Sequence, residues 1–356
     1  MFPNALTAAI GIESPVVQAP MAGGATTPEL VAAVSNAGGL GSYAAATLSP
    51  AAMAKGMARV RGLTDRPFGV NLFVLDTPNP TRTELAAAQA RLAPYRVALG
   101  LEPAVATPGR FCEDNRAQIE ALIELAPPVA SFTFGVLDAA TVARLHDAGS
   151  FVVGTATTVA EALAWEASGA DAVCMQGAEA GGHRGTFLGD FEQSSIGLMA
   201  LLPQAVAALD VPVIAAGGIM DGRGIAASLL LGAQAAQLGT AFLCCPESGI
   251  HAAWKAAILE AGDDSTRLTR VFSGRHARGI VNAFMDELRD DEAAVPAYPV
   301  QNALTGELRR AATAQGRTEF MSLWAGQGAG LARELPAAEL VGVLEEELRV
   351  ALAGAG

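Results

Sequence analysis

At 356 residues the chain can bury one large core, and it exceeds the roughly 250 residues of a bare eight-unit β/α barrel by the length of a small extra domain. A hydrophobic fraction of 51% against 17% charged residues excludes a disordered chain. The net charge of −13, from 23 Lys and Arg against 36 Asp and Glu, repels phosphate backbones and anionic lipid heads, so neither nucleic acid nor a membrane is expected as a partner.

Lys55 and Lys255 are the only lysines, and neither closes a strand-like run, which disfavours Schiff-base chemistry. Cys112, Cys174, Cys244 and Cys245 form no C-x-x-C pair and no zinc-holding spacing. A reduced, cytoplasmic chain without a metal is the simple reading. The opening MFPNALTAAIGIESP has no basic region followed by an apolar run, so no secretory signal is expected.

Short apolar or β-branched runs recur along the chain, each followed by an alanine-rich amphipathic segment opened by Thr, Ser, Pro, Asp or Glu. In order they are 16–18, 41–44, 68–72, 130–133, 151–154, 172–175, 213–215 and 235–238. Continuous apolar runs mark parallel strands buried on both faces. Eight of them predict an α/β fold of the (β/α)8 TIM barrel type instead of an open sheet.

Between the third and fourth runs lies an insert, 75–128, whose TPNPTRTELAAAQARLAPY reads as a proline turn and a capped helix packed outside the barrel. Residues 225–245 carry no charge and are long enough to span a bilayer, but Gln234, Gln237 and the glycines interrupt them. They read as a buried helix and a buried strand. Residues 246–331 show helical stretches broken by GDDS, SGRHARG and VPAYPVQN, which predicts a smaller, mainly helical C-terminal lid domain. In 336–353, Leu340, Val343, Leu344 and Leu348 recur at helical spacing, so this segment returns to the barrel wall. The expected division is a barrel over 1–245, completed by 332–356, with the lid over 246–331. No repeat of solenoid period is present.

In such a barrel the working residues sit where strands end. The first exit, Gln18-Ala19-Pro20-Met21-Ala22-Gly23-Gly24, has small side chains and bare backbone that let a flat ring approach, although an ordinary tight turn explains it as well. At the third exit Asn71 emerges from an apolar strand and needs hydrogen-bond partners; it suits a flavin's imide edge or a purely structural role. The sixth exit, from Gln176 to Gly185, sets four glycines around His183, so the imidazole projects over whatever lies on the loop. Imidazole suits proton transfer or pairing with an anion. His146, His251 and His276 lie in helix-like or lid segments. The seventh and eighth exits, with Gly217, Gly218, Gln237, Leu238, Gly239 and Thr240, form the pair that commonly cradles a phosphate with backbone N–H groups. Two glycine-rich stretches, 39–44 and 326–330, lack the strand, helix and acidic residue of a Rossmann site.

Taken together, PVVQAPMAGG, FGVNLF, QGAEAGGHRGTF, VIAAGGI and QLGTAFL resemble, in wording and order, the nitronate monooxygenases, once called 2-nitropropane dioxygenases. FSGRHARGIVNAF, YPVQNALT and SLWAGQGAGL resemble that family too, so the likeness runs from about residue 15 to residue 331. Flavin-dependent enoyl-ACP reductases share the E-[AS]-G-G-H element and the flavin loops, while GGHRGTF and LWAGQG favour the monooxygenase branch.

The resemblance implies FMN as cofactor, contacted by Pro20, Met21, Ala22, Gly23, Asn71, Gln176, Gly181, Gly182, Gly217, Gly218, Gln237, Leu238, Gly239 and Thr240, with His183 as the catalytic residue facing the substrate. It implies oxidation of an alkyl nitronate by dioxygen to a carbonyl compound and nitrite, a nitroalkane-detoxifying reaction that needs no reduced nicotinamide. His183 would hold the nitro oxygens as an imidazolium or hydrogen-bonding imidazole, or take the α-carbon proton of a neutral nitroalkane. The alternative on this fold is an NAD(P)H-dependent flavin reductase of an enoyl thioester or quinone; a flavin-binding protein of regulatory or storage role is a third class. Tyr298, Gln301, Trp324 and Gln327 are the expected pocket wall, and Trp324 equally suits a packing anchor. A monomer or homodimer is expected, and the preferred nitronate depends on how the lid closes.

Overall fold

The computed structural model describes residues 2–354 except 77 and 105. Two positions of the expected insert, the first residue of the expected barrel and the last two of the closing segment therefore lie outside the described residues. The strands are β1 (Val16–Gln18), β2 (Gly41–Ala44), β3 (Phe68–Phe73), β4 (Val129–Thr133), β5 (Phe151–Ala156), β6 (Ala172–Gln176), β7 (Gly182–His183), β8 (Val213–Ala216), β9 (Ala235–Leu238), β10 (Thr266–Thr269) and β11 (Ala277–Ile280).

Eight of these run parallel in the order β1-β9-β8-β6-β5-β4-β3-β2. A parallel bridge between Val17 and Leu40 joins the two ends. There Leu40 N–H donates to Val16 O at 3.0 Å and Gln18 N–H to Leu40 O at 2.9 Å, so the sheet becomes a ring. This is a (β/α)8 barrel. Its strands are apolar on both faces because one face fills the barrel and the other meets helices; Val70, Val152 and Val173 are fully buried.

Local chemistry starts each outer helix. Thr27 and Ser49 cap the helices Pro28–Asn36 and Pro50–Arg61, each with a proline in its first turn. The 39–44 stretch serves packing: a Cβ on Gly41 would lie 2.1 Å from Val31 O, so glycine there lets the first outer helix rest on β2. After β9 comes only the four-residue helix Thr240–Leu243. The eighth outer position is taken by the final helix, Ala337–Gly354, which lies against Gly222–Leu230 and Pro28–Asn36. Its buried stripe is Leu340, Val341, Leu344 and Leu348, with Val343 only half-buried. The expected stripe thus differs at one position, because Val341 and Val343 both fit an apolar spacing and the neighbouring helices choose between them.

The insert divides. The helix Arg82–Ala98, opened by a Thr81–Glu84 capping box, sends Ala88 and Leu92 into an apolar cluster with Phe272, Phe284, Leu304 and Leu308. The helix Asn115–Leu125 packs on the barrel helix Pro50–Arg61. The segment after β9 is mainly helical, but β10 and β11 form an antiparallel pair within it. The barrel-loop strand β7 extends that pair, with His183 opposite Ala277 and Gly182 opposite Arg278. Among the described residues, no helix is long and apolar enough to cross a membrane; the stretch at 225–245 is divided between the helix Gly222–Leu230 and β9.

Candidate active site

A cavity of about 760 Å³ opens at the carboxyl-terminal mouth of the barrel, between the strand exits and the segment that covers them. Its floor is polar. Asn71 on β3 donates from Nδ2 to Ser131 Oγ at 3.0 Å, and Thr133 and Thr155 on β4 and β5 pair through their hydroxyls at 3.3 Å. The amide oxygen of Asn71 has no partner among the described residues.

On the β1 side, Gln18 pins the start of its loop: Ser42 N–H donates to its Oε1 at 3.1 Å, and its Nε2 donates to Ala19 O. Thr26 Oγ1 then accepts Met21 N–H at 2.8 Å, which curls the loop inward. Across the mouth, Gly217, Gly218, Gly239 and Thr240 line the cavity, and their backbone N–H groups find no acceptor among the described residues. Thr240 Oγ1 accepts Gly326 N–H at 2.9 Å, so its hydroxyl proton remains to be donated.

The β6 exit is held from several sides. Gln176 donates from Nε2 to His183 O at 3.0 Å and accepts Gly185 N–H on Oε1 at 2.8 Å, so its amide positions the histidine loop. Buried Arg184 donates to Gln176 O and Ser194 O, both at 3.0 Å, and to Gly177 O. Buried Glu161 accepts the N–H groups of Thr157, Phe187 and Leu188 from beneath. A Cβ on Gly181 would lie 2.4 Å from Gly326 N, so glycine there admits the covering segment onto the loop.

His183 stands among aromatic rings, with centroids at 5.7 Å for Phe134 and 5.5 Å for both Tyr298 and Trp324. Its Nε2 lies 2.8 Å from Ser273 Oγ. The Ser273 hydroxyl donates to Arg275 O at 3.1 Å, so its oxygen accepts, which assigns the proton to Nε2 and the ring lone pair to Nδ1. Burial, then the nearby Arg275 and Arg309 guanidinium groups, push the imidazole down to about 3. The ring is therefore neutral at ordinary pH. Burial likewise raises the Tyr298 phenol, keeping its proton on. Phe134 holds a left-handed backbone with φ of 81°, and Arg275 lies 4.0 Å above its ring.

Pro20, Met21, Ala22, Gly23, Asn71, Gln176, Gly181, Gly182, Gly217, Gly218, Gln237, Gly239 and Thr240 all line this one cavity, together with His183, Tyr298 and Trp324. Three positions named from the sequence lie elsewhere. Leu238 is buried in the barrel core, because side chains alternate along β9 and its neighbour Gln237 takes the cavity side. Gln301 is buried behind the wall, donating to Val271 O at 2.7 Å. Gln327 is exposed, and only its backbone is engaged, donating to Glu179 O at 2.9 Å; Gly326 and Gly328 beside it do line the cavity. Sequence reasoning passed over Phe134, Asn302 and Arg309, which also line it. Asn302, Thr305 and Arg309 do recur at helical spacing, but nothing in that pattern says which face meets a ligand.

A family profile described as nitronate monooxygenase matches residues 4–347. The chain belongs to the nitronate monooxygenase family. It is 43% identical over 353 residues to a probable nitronate monooxygenase of Staphylococcus haemolyticus, covering 99% of this chain and 98% of that protein. The solved structure of a nitroalkane oxidase from Streptomyces ansochromogenes is similar with a TM-score of 0.91 and 46% identity, covering 99% of this chain and 100% of that one. FabK from Thermotoga maritima is also similar, with a TM-score of 0.78 and 29% identity over 100% of this chain and 99% of that one. This member of the nitronate monooxygenase family is accordingly an enzyme, an oxidoreductase built on a (β/α)8 barrel.

Proposed function

We propose that this enzyme oxidises alkyl nitronates with dioxygen to a carbonyl compound and nitrite, using FMN held in the cavity at the barrel mouth. The observation that carries the reading is the pairing, in one cavity, of an unsatisfied backbone N–H cradle with a neutral imidazole among aromatic rings. The residues fit the cofactor. The N–H groups of Gly217, Gly218, Gly239 and Thr240 and the Thr240 hydroxyl would hold its phosphate. The free amide oxygen of Asn71 would accept from the ring's imide. Nothing lies within 4 Å of where a Cβ on Gly23 or Gly182 would sit, as expected of surfaces left for a flat ring.

When bound, FMN supplies the electron-accepting centre. The chain's own residues orient, exclude water and move a proton. Phe134, Tyr298 and Trp324 wall off the space beside His183. With its lone pair on Nδ1, His183 serves as an acceptor, able to take the α-carbon proton when the substrate arrives as a neutral nitroalkane. Burial and the neighbouring guanidinium groups favour its neutral form, which supports the base role over standing imidazolium pairing with an anion. A cytoplasmic setting belongs to this reading and agrees with four free cysteines.

An anaerobic spectrum of the purified protein, titrated first with NADH and then with ethylnitronate, tests the proposal. The expected result is a yellow protein that NADH leaves oxidised and the nitronate bleaches, with oxygen uptake and nitrite release once air is admitted. Rapid bleaching by NADH would overturn it in favour of a reductase, and a colourless protein unable to take up FMN would end it.

A further inference from the structure

The charged lining of the cavity has one sign. The chain carries a net charge of −13, yet among the described residues no Asp or Glu lines the cavity, whereas Arg309 and Arg310 do. Arg310 is exposed and Arg309 half-buried, on the helix Gly306–Ala314.

Arg309 is fixed before any ligand arrives. Its Nε donates to Thr305 Oγ1 at 3.2 Å, and Nη2 donates to Asn302 O at 2.9 Å and Asn302 Oδ1 at 2.8 Å. Thr305 is itself anchored, donating to Phe272 O at 2.5 Å. These contacts set the plane of the guanidinium and leave Nη1 without a partner among the described residues. Burial lowers its pKa to about 10 and no carboxylate acts on it, so it stays charged at neutral pH without a counter-ion. A half-buried cation in that position stands without the carboxylate that commonly accompanies one withdrawn from water.

Arg275 differs. It is spent on Arg184 O at 2.9 Å, on Thr186 O and on the face of Phe134, and it does not line the cavity. His183 offers a lone pair at Nδ1, which repels the oxygens of an anionic nitro group. Arg310 also carries a full charge but is exposed and unheld; among the described residues lining this space, only Arg309 joins a full charge to an unengaged donor on a guanidinium fixed by side-chain hydrogen bonds.

We propose that Arg309 is the anion seat of the cavity, binding the nitro oxygens of the nitronate through its free Nη1 edge and so selecting small oxyanions over neutral molecules. This rests on the nitronate reading given above. Burial is the first cause of the low His183 pKa, and negative charge developing on a nitro group beside Arg309 offsets the guanidinium field that adds to it, so proton transfer to Nδ1 and charge formation stabilise one another.

Nitrate, a planar oxyanion the reaction cannot consume, is the probe. In the full-length protein nitrate should raise the melting temperature, with or without added FMN, and compete with ethylnitronate. Arg309→Gln should abolish the nitrate shift and raise the KM for ethylnitronate on the order of 10- to 100-fold, with kcat and flavin content nearly unchanged. Arg309→Lys, which keeps the charge and loses the fork, should recover most of the nitrate shift. Wild-type nitrate binding by Arg309→Gln would overturn the proposal. So would the absence of any nitrate shift or competition in the unaltered enzyme, whether or not the variant folds. Nitrate binding that depends on Arg309 in a protein that turns over no nitronate would leave the seat standing and sink the functional reading instead. Normal nitronate turnover without Arg309-dependent nitrate binding would do the reverse.

Discussion

The two sides of the cavity recognise by different means. The barrel side offers main chain: the N–H groups at Gly217, Gly218, Gly239 and Thr240, and the curled Pro20–Gly23 loop, with no charged side chain among them. The covering side offers side chains: Tyr298, Trp324 and the guanidinium of Arg309. Backbone donors suit a ligand whose shape never varies, because they cannot change without moving the fold. Side chains suit whatever distinguishes one substrate from another. His183 lies on the seam, contributed by a barrel loop but paired in β7 with β11 of the covering segment.

If that division is real, substitutions should separate cleanly into effects on cofactor and on substrate. The largest effect is expected from His183→Asn: kcat for neutral nitroalkanes should fall by about 10²–10⁴-fold, while turnover of the preformed nitronate and flavin content change far less. Equal losses on both substrates in stopped-flow reduction would place His183 on the cofactor side and break the comparison. Next comes Gly181→Ala, whose added Cβ meets Gly326 N at 2.4 Å; a destabilisation of about 1–3 kcal/mol is expected in urea titrations. Unchanged stability would mean that the covering segment does not bear on the loop.

Thr240→Val should weaken FMN by about tenfold in fluorescence titration, through loss of one donor, and leave the nitronate KM of the reconstituted enzyme unaltered. A raised KM with normal FMN affinity would contradict the assignment. The smallest effect concerns acid stability. The folded His183 titrates near 3, below its ordinary 6.5, so its neutral form contributes stability fully above about 6.5 and loses that contribution as pH falls toward about 3. His276, held near 4 by burial and Arg270, acts in the same direction. The melting temperature should drop between pH 7 and 5, and more gently in His183→Asn; parallel curves would show that His183 is not buried as described.

The barrel side was legible in the sequence, while of the covering side only Tyr298 and Trp324 were, for a physical reason. Strands such as 68–73 and 151–156 are buried on both faces, so composition alone marks them, and the glycines that follow 16–18, 172–176, 213–216 and 235–238 advertise bare backbone. Arg309 looks like any arginine on an amphipathic helix until Asn302 and Thr305 are seen to aim it. Gln301 and Gln327 stood in equally suggestive motifs, but only tertiary packing decides which residues of a segment face inward. β10 and β11, reading TRLT and ARGI, carry neither apolar alternation nor length, so a strand pair was invisible inside a helical stretch.

The sheet formed by β7, β11 and β10 has a consequence for anyone recombining this enzyme with its relatives. The roof is stitched by main-chain hydrogen bonds to the very residues that carry the imidazole, so it cannot swing like a door on a hinge without dragging that ring along. A chimera that imports a foreign roof should therefore import residues 182–185 with it, or the graft will arrive with its imidazole misaimed.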